Sequence, residues 1–318
     1  MRCLVHGAHP EPTELAELKV VFLGTSGSMP SPERNSSCVA VKIGRGVILL
    51  DCGEGSQRQM VVAHLGFSRV KQIFITRLHG DHVLGVPGLL QSMNLQRREE
   101  HLDIYGPRGT YAFLQGFSDT LGGPAFPITV HEIVEPGVVH EGHSYSVEAC
   151  RGDHRLESWV YSIIEKPRPG KFHPEKAQTL GVPKGGLWKR LQDGEDVEVA
   201  GKIIKSLDVA DAPRYGRVIV YTGDTRPSEE VVRLASGADL LIHEATFADD
   251  LVERAKLDGH STPSQAAGVA SRAGVKRLIL THISSRYGDV APLLEAAVKV
   301  FPETTVASDF LEVDVPRA

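Results

Sequence analysis

The chain has 318 residues, of which 41% are hydrophobic and 24% are charged, and its formal net charge is −5. This length permits a large core, in one α/β domain or in two smaller ones, and the composition is typical of a soluble globular protein. The negative charge argues against a sheath of non-specific contacts to nucleic acid, but it does not exclude a local basic patch.

The sequence gives no sign of a membrane or secreted protein. No apolar run reaches the ~18 residues that a membrane span requires, and the first residues lack the apolar stretch of a secretory signal. The cysteines have neither zinc-finger nor redox spacing, and we expect reduced thiols. They are Cys3, Cys38, Cys52 and Cys150. We therefore expect a cytoplasmic protein, and we interpret residues 1–17, which precede the first strand pattern, as an N-terminal tail.

The first strand patterns lead toward a cluster of polar residues. After Lys19, residues 20–23 form an apolar run that ends in Gly-Thr-Ser-Gly-Ser at 24–28, which is typical of a turn. Residues 38–41 and 47–50 predict a hairpin around Gly44-Arg45-Gly46. Asp51 follows this hairpin, and we expect it to orient a metal ligand rather than to bind the metal.

The next strand pattern, at residues 73–76, is followed at once by several metal-ligand residue types. His79, Asp81 and His82 offer imidazole and carboxylate groups within four positions, and such groups suit zinc or another borderline divalent cation. Gly80 allows a tight turn that brings neighbouring side chains together. Taken alone, this stretch is also compatible with a histidine-rich surface loop.

Residues 76–82, followed by Gly-Val-Pro-Gly-Leu-Leu at 85–90, resemble the HxHxDH signature of the metallo-β-lactamase superfamily. Within that superfamily they are most similar to RNase Z, the endonuclease family that trims tRNA 3′ ends. One position departs, because Arg77 stands where the signature has its first histidine. A guanidinium keeps its proton and has no lone pair, so Arg77 cannot act as a metal ligand. The resemblance implies an α/β fold, a four-layer αββα sandwich with a projecting basic arm.

Later strand patterns also end in polar residues. Residues 144–150 lead to His154, residues 217–221 to Asp224, residues 238–242 to Glu244, and residues 276–280 to His282. His260 precedes a predicted helix whose N-cap is Ser261 or Thr262. Each could be a chance polar residue after a strand, but their order over residues 18–314 matches the family.

The resemblance assigns roles to these residues. One metal site would use Asp81, His82, His282 and a bridging Asp224. The other would use His79, His154 and Asp224 together with the position that Arg77 occupies. Asp81 would assist as a base, and His260, oriented by Glu244, would protonate the leaving ribose oxygen.

Residues 166–197 show the clearest change in composition. They are rich in proline, glycine and cationic residues, which are Lys166, Arg168, Lys171, Lys176, Lys184, Lys189 and Arg190. One interpretation is a solvated connection with a short helix at 175–180; long loops of this kind are uncommon unless functional. The other is the projecting arm that holds tRNA in the family, which would provide phosphate contacts on an acidic body. Arg34, in a segment that resembles the family's PxKxRN loop with Pro32 in place of lysine, and Arg286 are further candidate RNA contacts.

The resemblance therefore implies a zinc-dependent endoribonuclease that removes the 3′ trailer from precursor tRNA, as a homodimer with two zinc sites. Residues 18–318 would form a single domain with the inserted arm. Because Arg77 removes a ligand and adds a positive charge, we expect one site to be weakened or empty and cleavage to be impaired. Two alternatives stay open: a catalytically silent tRNA-binding protein, and a phosphodiesterase of the same fold that acts on small substrates.

Overall fold

The chain folds into two seven-stranded β-sheets, which a computed structural model describes for residues 18–317. The first nine strands are β1 (Leu18–Gly24), β2 (Ser26–Gly27), β3 (Cys38–Ile43), β4 (Gly46–Leu50), β5 (Val70–Phe74), β6 (Leu102–Gly106), β7 (Ile128–Glu132), β8 (Gly137–Glu141) and β9 (Tyr145–Arg151). The others are β10 (Trp159–Glu165), β11 (Val197–Val199), β12 (Lys202–Ile204), β13 (Val218–Tyr221), β14 (Leu240–Glu244), β15 (Leu278–Thr281), β16 (Ile283–Ser284), β17 (Thr304–Val306) and β18 (Glu312–Asp314).

The helices connect these strands on the outer faces and in one insertion. They are α1 (Ser56–Val62), α2 (Gly80–Val83), α3 (Gly85–Leu95), α4 (Thr110–Leu121), α5 (Pro174–Thr179), α6 (Gly186–Gln192), α7 (Ser206–Val209), α8 (Glu229–Leu234), α9 (Val252–Asp258), α10 (Pro263–Ala273) and α11 (Ala291–Val298). Short 3₁₀ turns cover Phe67–Arg69 and Asp249–Leu251. Among residues 18–317, none of these helices has the length and apolar composition that a bilayer span needs.

The two sheets lie face to face between two helical layers. The order in the first sheet is β18-β1-β3-β4-β5-β6-β7, and in the second it is β17-β15-β14-β13-β10-β9-β8. Side chains alternate along each strand, so in β1 Val20 and Phe22 join the core between the sheets, while Val21 and Leu23 join the core under the helices. The result is the four-layer αββα sandwich expected from the sequence.

Strand direction explains where the polar residues gather. β4, β5 and β6 are parallel, and so are β13, β14 and β15. The carboxyl ends of parallel strands lie at one edge of a sheet, and ligands commonly bind outside that edge. At this edge a short parallel pair, β2 with β16, joins the two halves, with Ile283 opposite Ser26 and Ser284 opposite Gly27. The polar residues of both halves therefore meet in one place.

The basic segment is a small folded insertion with its own apolar cluster. Its buried residues include Ala177, Val182 and Leu191, and it contains α5, α6, α7 and the β11–β12 hairpin. Backbone pairing between Arg168 and Arg214 closes its base. Regular structure thus continues past residue 197 to α7, and the insertion has more structure than the single short helix that we expected. The tail assigned to residues 1–17 lies outside the described residues.

Candidate metal centre and catalytic site

Four side chains from the two halves form a cage at the joined edge. Nε2 of His282 lies 3.1 Å from Oδ1 of Asp224 and 3.3 Å from Oδ2 of Asp81. Nε2 of His82 lies 3.5 Å from each of the same two oxygens. Metal–ligand bonds of about 2.0–2.2 Å in tetrahedral geometry separate ligand atoms by ~3.3–3.6 Å. The four distances measured here are close to that range, and Asp81, His82 and His282 form a compact group that could hold a cation, with Asp224 beside it.

Neighbouring groups hold the two cage histidines in fixed orientations. Nδ1 of His82 lies 2.7 Å from Oδ2 of Asp51, which also accepts a hydrogen bond from the Tyr221 hydroxyl. Nδ1 of His282 lies 2.8 Å from Oγ1 of Thr246. Asp51 and His282 both adopt left-handed backbone conformations, with φ of 58° and 57°. Such strain in non-glycine residues concentrates at functional sites. Asp51 thus orients a cage residue, as predicted.

The charge and hydrogen bonding of the cage also fit a cation. Nε2 of His82 and Oδ1 of Asp224 are buried and have no hydrogen-bond partner among the described residues, and buried polar atoms are rarely left in that state. Burial opposes protonation of His82, yet the nearby Asp51, Asp224 and Asp81 raise the pKa of its imidazole to about 10. This excess of negative charge would be neutralised by a divalent cation held by Asp81, His82, Asp224 and His282.

Arg77 occupies the position beside this cage where the resemblance implies a second metal. Its guanidinium is buried, with Nη1 2.5 Å from Oδ2 of Asp224 and 2.7 Å from Nε2 of His154. Its Nη2 donates to Nδ1 of His79. The residues around the guanidinium therefore do not fit a second metal, because this side-chain cation contacts all three remaining candidate ligands, His79, His154 and Asp224.

The two histidines beside Arg77 behave as neutral acceptors. Burial and then the positive charge of Arg77 lower the pKa of His154 to about 4, and the same two causes, in the same order, lower the pKa of His79. A neutral imidazole has one nitrogen that accepts a hydrogen bond. In His79 this nitrogen is Nδ1, which faces Nη2 of Arg77; in His154 both nitrogens face donors, Nη1 of Arg77 at Nε2 and the N–H of Leu156 at Nδ1. Their ring centroids lie 5.9 Å apart, with the guanidinium bonded to both.

A buried carboxylate–imidazole pair stands next to the cage. Nδ1 of His260 lies 2.8 Å from Oε1 of Glu244. The other oxygen of Glu244 accepts a hydrogen bond of 2.7 Å from the Thr246 hydroxyl. Burial opposes the charge on His260, but Glu244 raises the pKa of the imidazole to about 9. His260 precedes α10, whose N-cap is Thr262, one of the two residues that the sequence offered for this position.

A cavity of about 690 Å³ opens onto these groups. The turn after β1 reaches it through Ser28, whose backbone N–H donates to Oδ2 of Asp81 at 2.8 Å. Exposed arginines line the mouth, and the guanidinium of Arg286 lies 5.0 Å from the ring centroid of Phe247. Arg155 and Arg254 are on the same wall. Asp258 also lines the cavity and pairs with Arg155 and Arg254, so three arginines and one carboxylate leave the mouth with a net positive charge that favours an anionic substrate such as a phosphodiester.

The predicted RNA contacts fall into three groups. Arg34 is partly buried, and its Nη1 donates to Oγ1 of Thr25 and to the carbonyl of Ala307, both at 2.7 Å, so its contact with RNA stays a prediction. Arg286 lies at the cavity. The rest are on or beside the insertion: Lys171, Lys176, Lys184 and Lys189 are exposed, while Lys166, Arg168 and Arg190 pair with Glu141, Glu165 and Glu195.

Several groups that shape the site had no predicted role. Thr246 bonds both Glu244 and His282, Tyr221 bonds Asp51, and Arg155 and Arg254 lie at the mouth. Thr246 and Tyr221 stand at strand ends beside ligand candidates, so their position was a usable signal. The two arginines lie on loops with no distinctive pattern, and only the folded chain brings them to the cavity.

Comparison with known proteins agrees with this architecture. Residues 18–125 match a family model described as Anti-Pycsar protein Apyc1, and residues 188–283 match one described as Beta-lactamase superfamily domain. A ribonuclease Z of Methanosarcina acetivorans is 46% identical over 94% of this chain and 98% of its own. One of Bacillus velezensis is 42% identical over 95% of this chain and 100% of its own.

A solved structure leads to the same family. The short form of human tRNase Z is 31% identical, covers 94% of this chain and 99% of its own, and superposes with a TM-score of 0.71. Similarity of this degree, over nearly the whole length of both chains, extends to the insertion and to both halves of the sandwich. The chain therefore belongs to the ribonuclease Z family and has the metallo-β-lactamase fold.

Proposed function

We propose that this chain is a zinc-dependent endoribonuclease that removes the 3′ trailer from precursor tRNA, with cleavage slowed by Arg77. The observation that carries the proposal is the compact group of Asp81, His82 and His282, with Asp224 in contact with both histidines, beside the Glu244–His260 pair and in a cavity lined by arginines. Membership of the ribonuclease Z family supports the substrate. A cage of two imidazoles and two carboxylates suits zinc.

Asp81, His82, Asp224 and His282 would hold the zinc ion. Bound there, zinc would supply Lewis-acid chemistry by polarising a phosphoryl oxygen. The protein's own contribution is the rigid orientation of the two imidazoles by Asp51 and Thr246. Partners of this kind typically affect metal affinity or activity by about 10–100-fold.

His260 and Asp81 would carry the proton transfers. His260 would donate a proton to the leaving ribose oxygen, because its raised pKa keeps the imidazole protonated at neutral pH. Glu244 holds that imidazole at 2.8 Å and is a positioning residue. Asp81 would assist as the base: burial opposes its charge, but His82 and His282 lower its pKa, so the carboxylate stays ionised.

Arg77 would reduce this activity by leaving the cage with a single metal. His79, His154 and Asp224, the remaining ligands of a second site, are bonded to the guanidinium. The cation charge available to the phosphoryl group is therefore smaller than with two metals, and slower cleavage follows.

The insertion and the cavity mouth would bind the RNA. Exposed lysines at 171, 176, 184 and 189 would release counterions from phosphates at a distance from the cage, and Arg286 would contact the RNA beside the cleavage site. With residues 18–318 as one domain, we further propose a homodimer that acts in the cytoplasm on precursor tRNA; the dimer is supported by the family resemblance alone.

Cleavage of a precursor tRNA with a 3′ trailer, with zinc per chain counted on the same sample, tests this function. We expect slow cleavage at the trailer junction with one zinc per chain, and faster cleavage by Arg77→His. Cleavage of a small chromogenic phosphodiester without cleavage of the precursor would support the small-substrate alternative. Tight tRNA binding with no cleavage by either protein would make it a silent binding protein.

A further inference from the structure

The guanidinium of Arg77 does more than replace a lost ligand. It forms an ion pair with Asp224 and hydrogen bonds with His79 and His154, the three groups left for a second metal. Asp224 faces both ways, since its Oδ1 belongs to the cage and its Oδ2 lies 2.5 Å from Nη1 of Arg77. The guanidinium thus sits where a bridging carboxylate would meet a second cation.

A missing fourth ligand does not by itself prevent zinc binding. Catalytic zinc sites commonly have three protein ligands and one open position. Two imidazoles and a carboxylate, from His79, His154 and Asp224, would provide such a set. The guanidinium of Arg77 opposes binding of a second ion. Its positive charge repels a metal ion, and its N–H groups occupy the lone pairs that would bind the metal.

The spacing of the two histidines fits this view. Within residues 18–317, no three-residue group that includes His79 is compact enough to hold an ion, whereas His154 and Asp224 form such a group with His260. The rings of His79 and His154 are separated by 5.9 Å, and the guanidinium is bonded between them. Removal of the guanidinium would free His79 to approach His154 and Asp224.

We infer that Arg77 is itself the resident cation of the second site, and that its removal alone, without a restored histidine, lets His79, His154 and Asp224 bind a second divalent ion. The inference rests on the metal-dependent function proposed above. It differs from a simple ligand loss in one respect: alanine at position 77 supplies no ligand, yet it should open the site.

The test is zinc per chain, by elemental analysis after dialysis against a fixed free zinc concentration. We expect one zinc for the unaltered protein, two for Arg77→His and two for Arg77→Ala. Arg77→Lys, which retains the charge, should hold one. Adding His79→Ala to Arg77→Ala should return the count to one, since it removes a ligand of the opened site.

A count of one for Arg77→Ala would overturn the inference, and so would a count of two for Arg77→Lys. Circular dichroism and thermal unfolding establish that each variant is folded; if Arg77→Ala does not fold, the neutral Arg77→Gln carries the same expectation. The zinc count requires no RNA. Failure to cleave precursor tRNA would therefore refute the proposed function, whereas the zinc content alone decides this inference.

Discussion

Nη1 of Arg77 and Oδ2 of Asp224 lie 2.5 Å apart, and both side chains are buried. The pair connects the cage, to which Asp224 belongs, with the two histidines that Arg77 contacts. A buried pair of this kind is most costly when one partner alone is removed, because the other charge is left uncompensated.

Asp224→Asn should therefore destabilise the metal-free protein by about 3–5 kcal/mol, since it leaves the Arg77 charge buried and unpaired. Urea unfolding in the presence of a chelator measures this change. As a control, Asp153→Asn removes a surface partner of Arg226 and should change stability by less than about 1 kcal/mol. Equal effects of the two substitutions would contradict the buried-pair account.

The Glu244–His260 pair should be visible in the titration of the imidazole. Glu244 raises the pKa of His260 to about 9 despite burial, so in the metal-free protein the proton should leave near that pH. Glu244→Gln should lower this pKa. The pair stabilises the fold fully below the unfolded histidine pKa of about 6.5, and that stability is lost as pH rises through the folded pKa of about 9.

Nitrogen NMR of the His260 ring, in the unaltered protein and in Glu244→Gln, measures both values. Glu253→Gln is a suitable control, because Glu253 lies on the surface of α9. An unchanged His260 titration in Glu244→Gln would rule out the positioning role.

Acid should weaken the fold through Glu165. This buried carboxylate accepts hydrogen bonds from Arg217 at 2.8 Å and from Arg317 at 2.7 Å. Burial opposes ionisation, but the bonds from Arg217 lower the pKa of Glu165. Its stabilising effect is therefore present above the unfolded glutamate pKa of about 4.3 and is lost as pH falls through the lower folded value.

Glu165→Gln should destabilise the protein at neutral pH. Below about pH 5 the unfolding free energy of Glu165→Gln should also fall less steeply with pH than that of the unaltered protein, by about the contribution of one carboxylate. Unfolding free energies measured across that range test it. Glu141→Gln, which removes an exposed partner of Lys166, should leave the acid slope unchanged, and an identical slope in Glu165→Gln would refute the assignment.

The exposed lysines of the insertion should control the salt dependence of tRNA binding. Lys171, Lys176, Lys184 and Lys189 are all exposed. Changing all four to glutamine should weaken binding and reduce the slope of log Kd against log salt by about one for each phosphate that is no longer neutralised. A matched control changes Arg45 and Lys299, exposed cations elsewhere on the body. If the control changed the affinity and the salt slope more than the four insertion substitutions do, the insertion would not be the tRNA-binding surface.

Much of the fold can be predicted from the sequence, because apolar runs that form strands are followed directly by polar residues, and these polar residues mark the strand ends. The hairpin predicted from residues 38–41 and 47–50 is present as β3 and β4, and the structure brings Asp81, His82, Asp224 and His282 together. β7, β8 and β17 were not expected, since their residues are only partly buried and carry no strong apolar pattern.

The remaining differences concern side-chain placement rather than strand pattern. The sequence predicts that Arg77 cannot bind a metal, but not that its guanidinium would reach three ligand residues at once. Arg34 is a residue type that often contacts phosphate. In the structure its Nη1 donates to the hydroxyl of Thr25 and to the carbonyl of Ala307. The contacts of Arg77 with His154 and Asp224 and of Arg34 with Ala307 join residues far apart in sequence, so no local sequence pattern predicts them.

The cage takes two residues from each half of the sandwich: Asp81 and His82 from the first, Asp224 and His282 from the second. A bound ion would therefore cross-link the two halves, in addition to the short β2–β16 pairing. Each half alone carries only two of the four ligands. Retention of the ion during unfolding would thus report that the halves are still docked, and its release would report their separation.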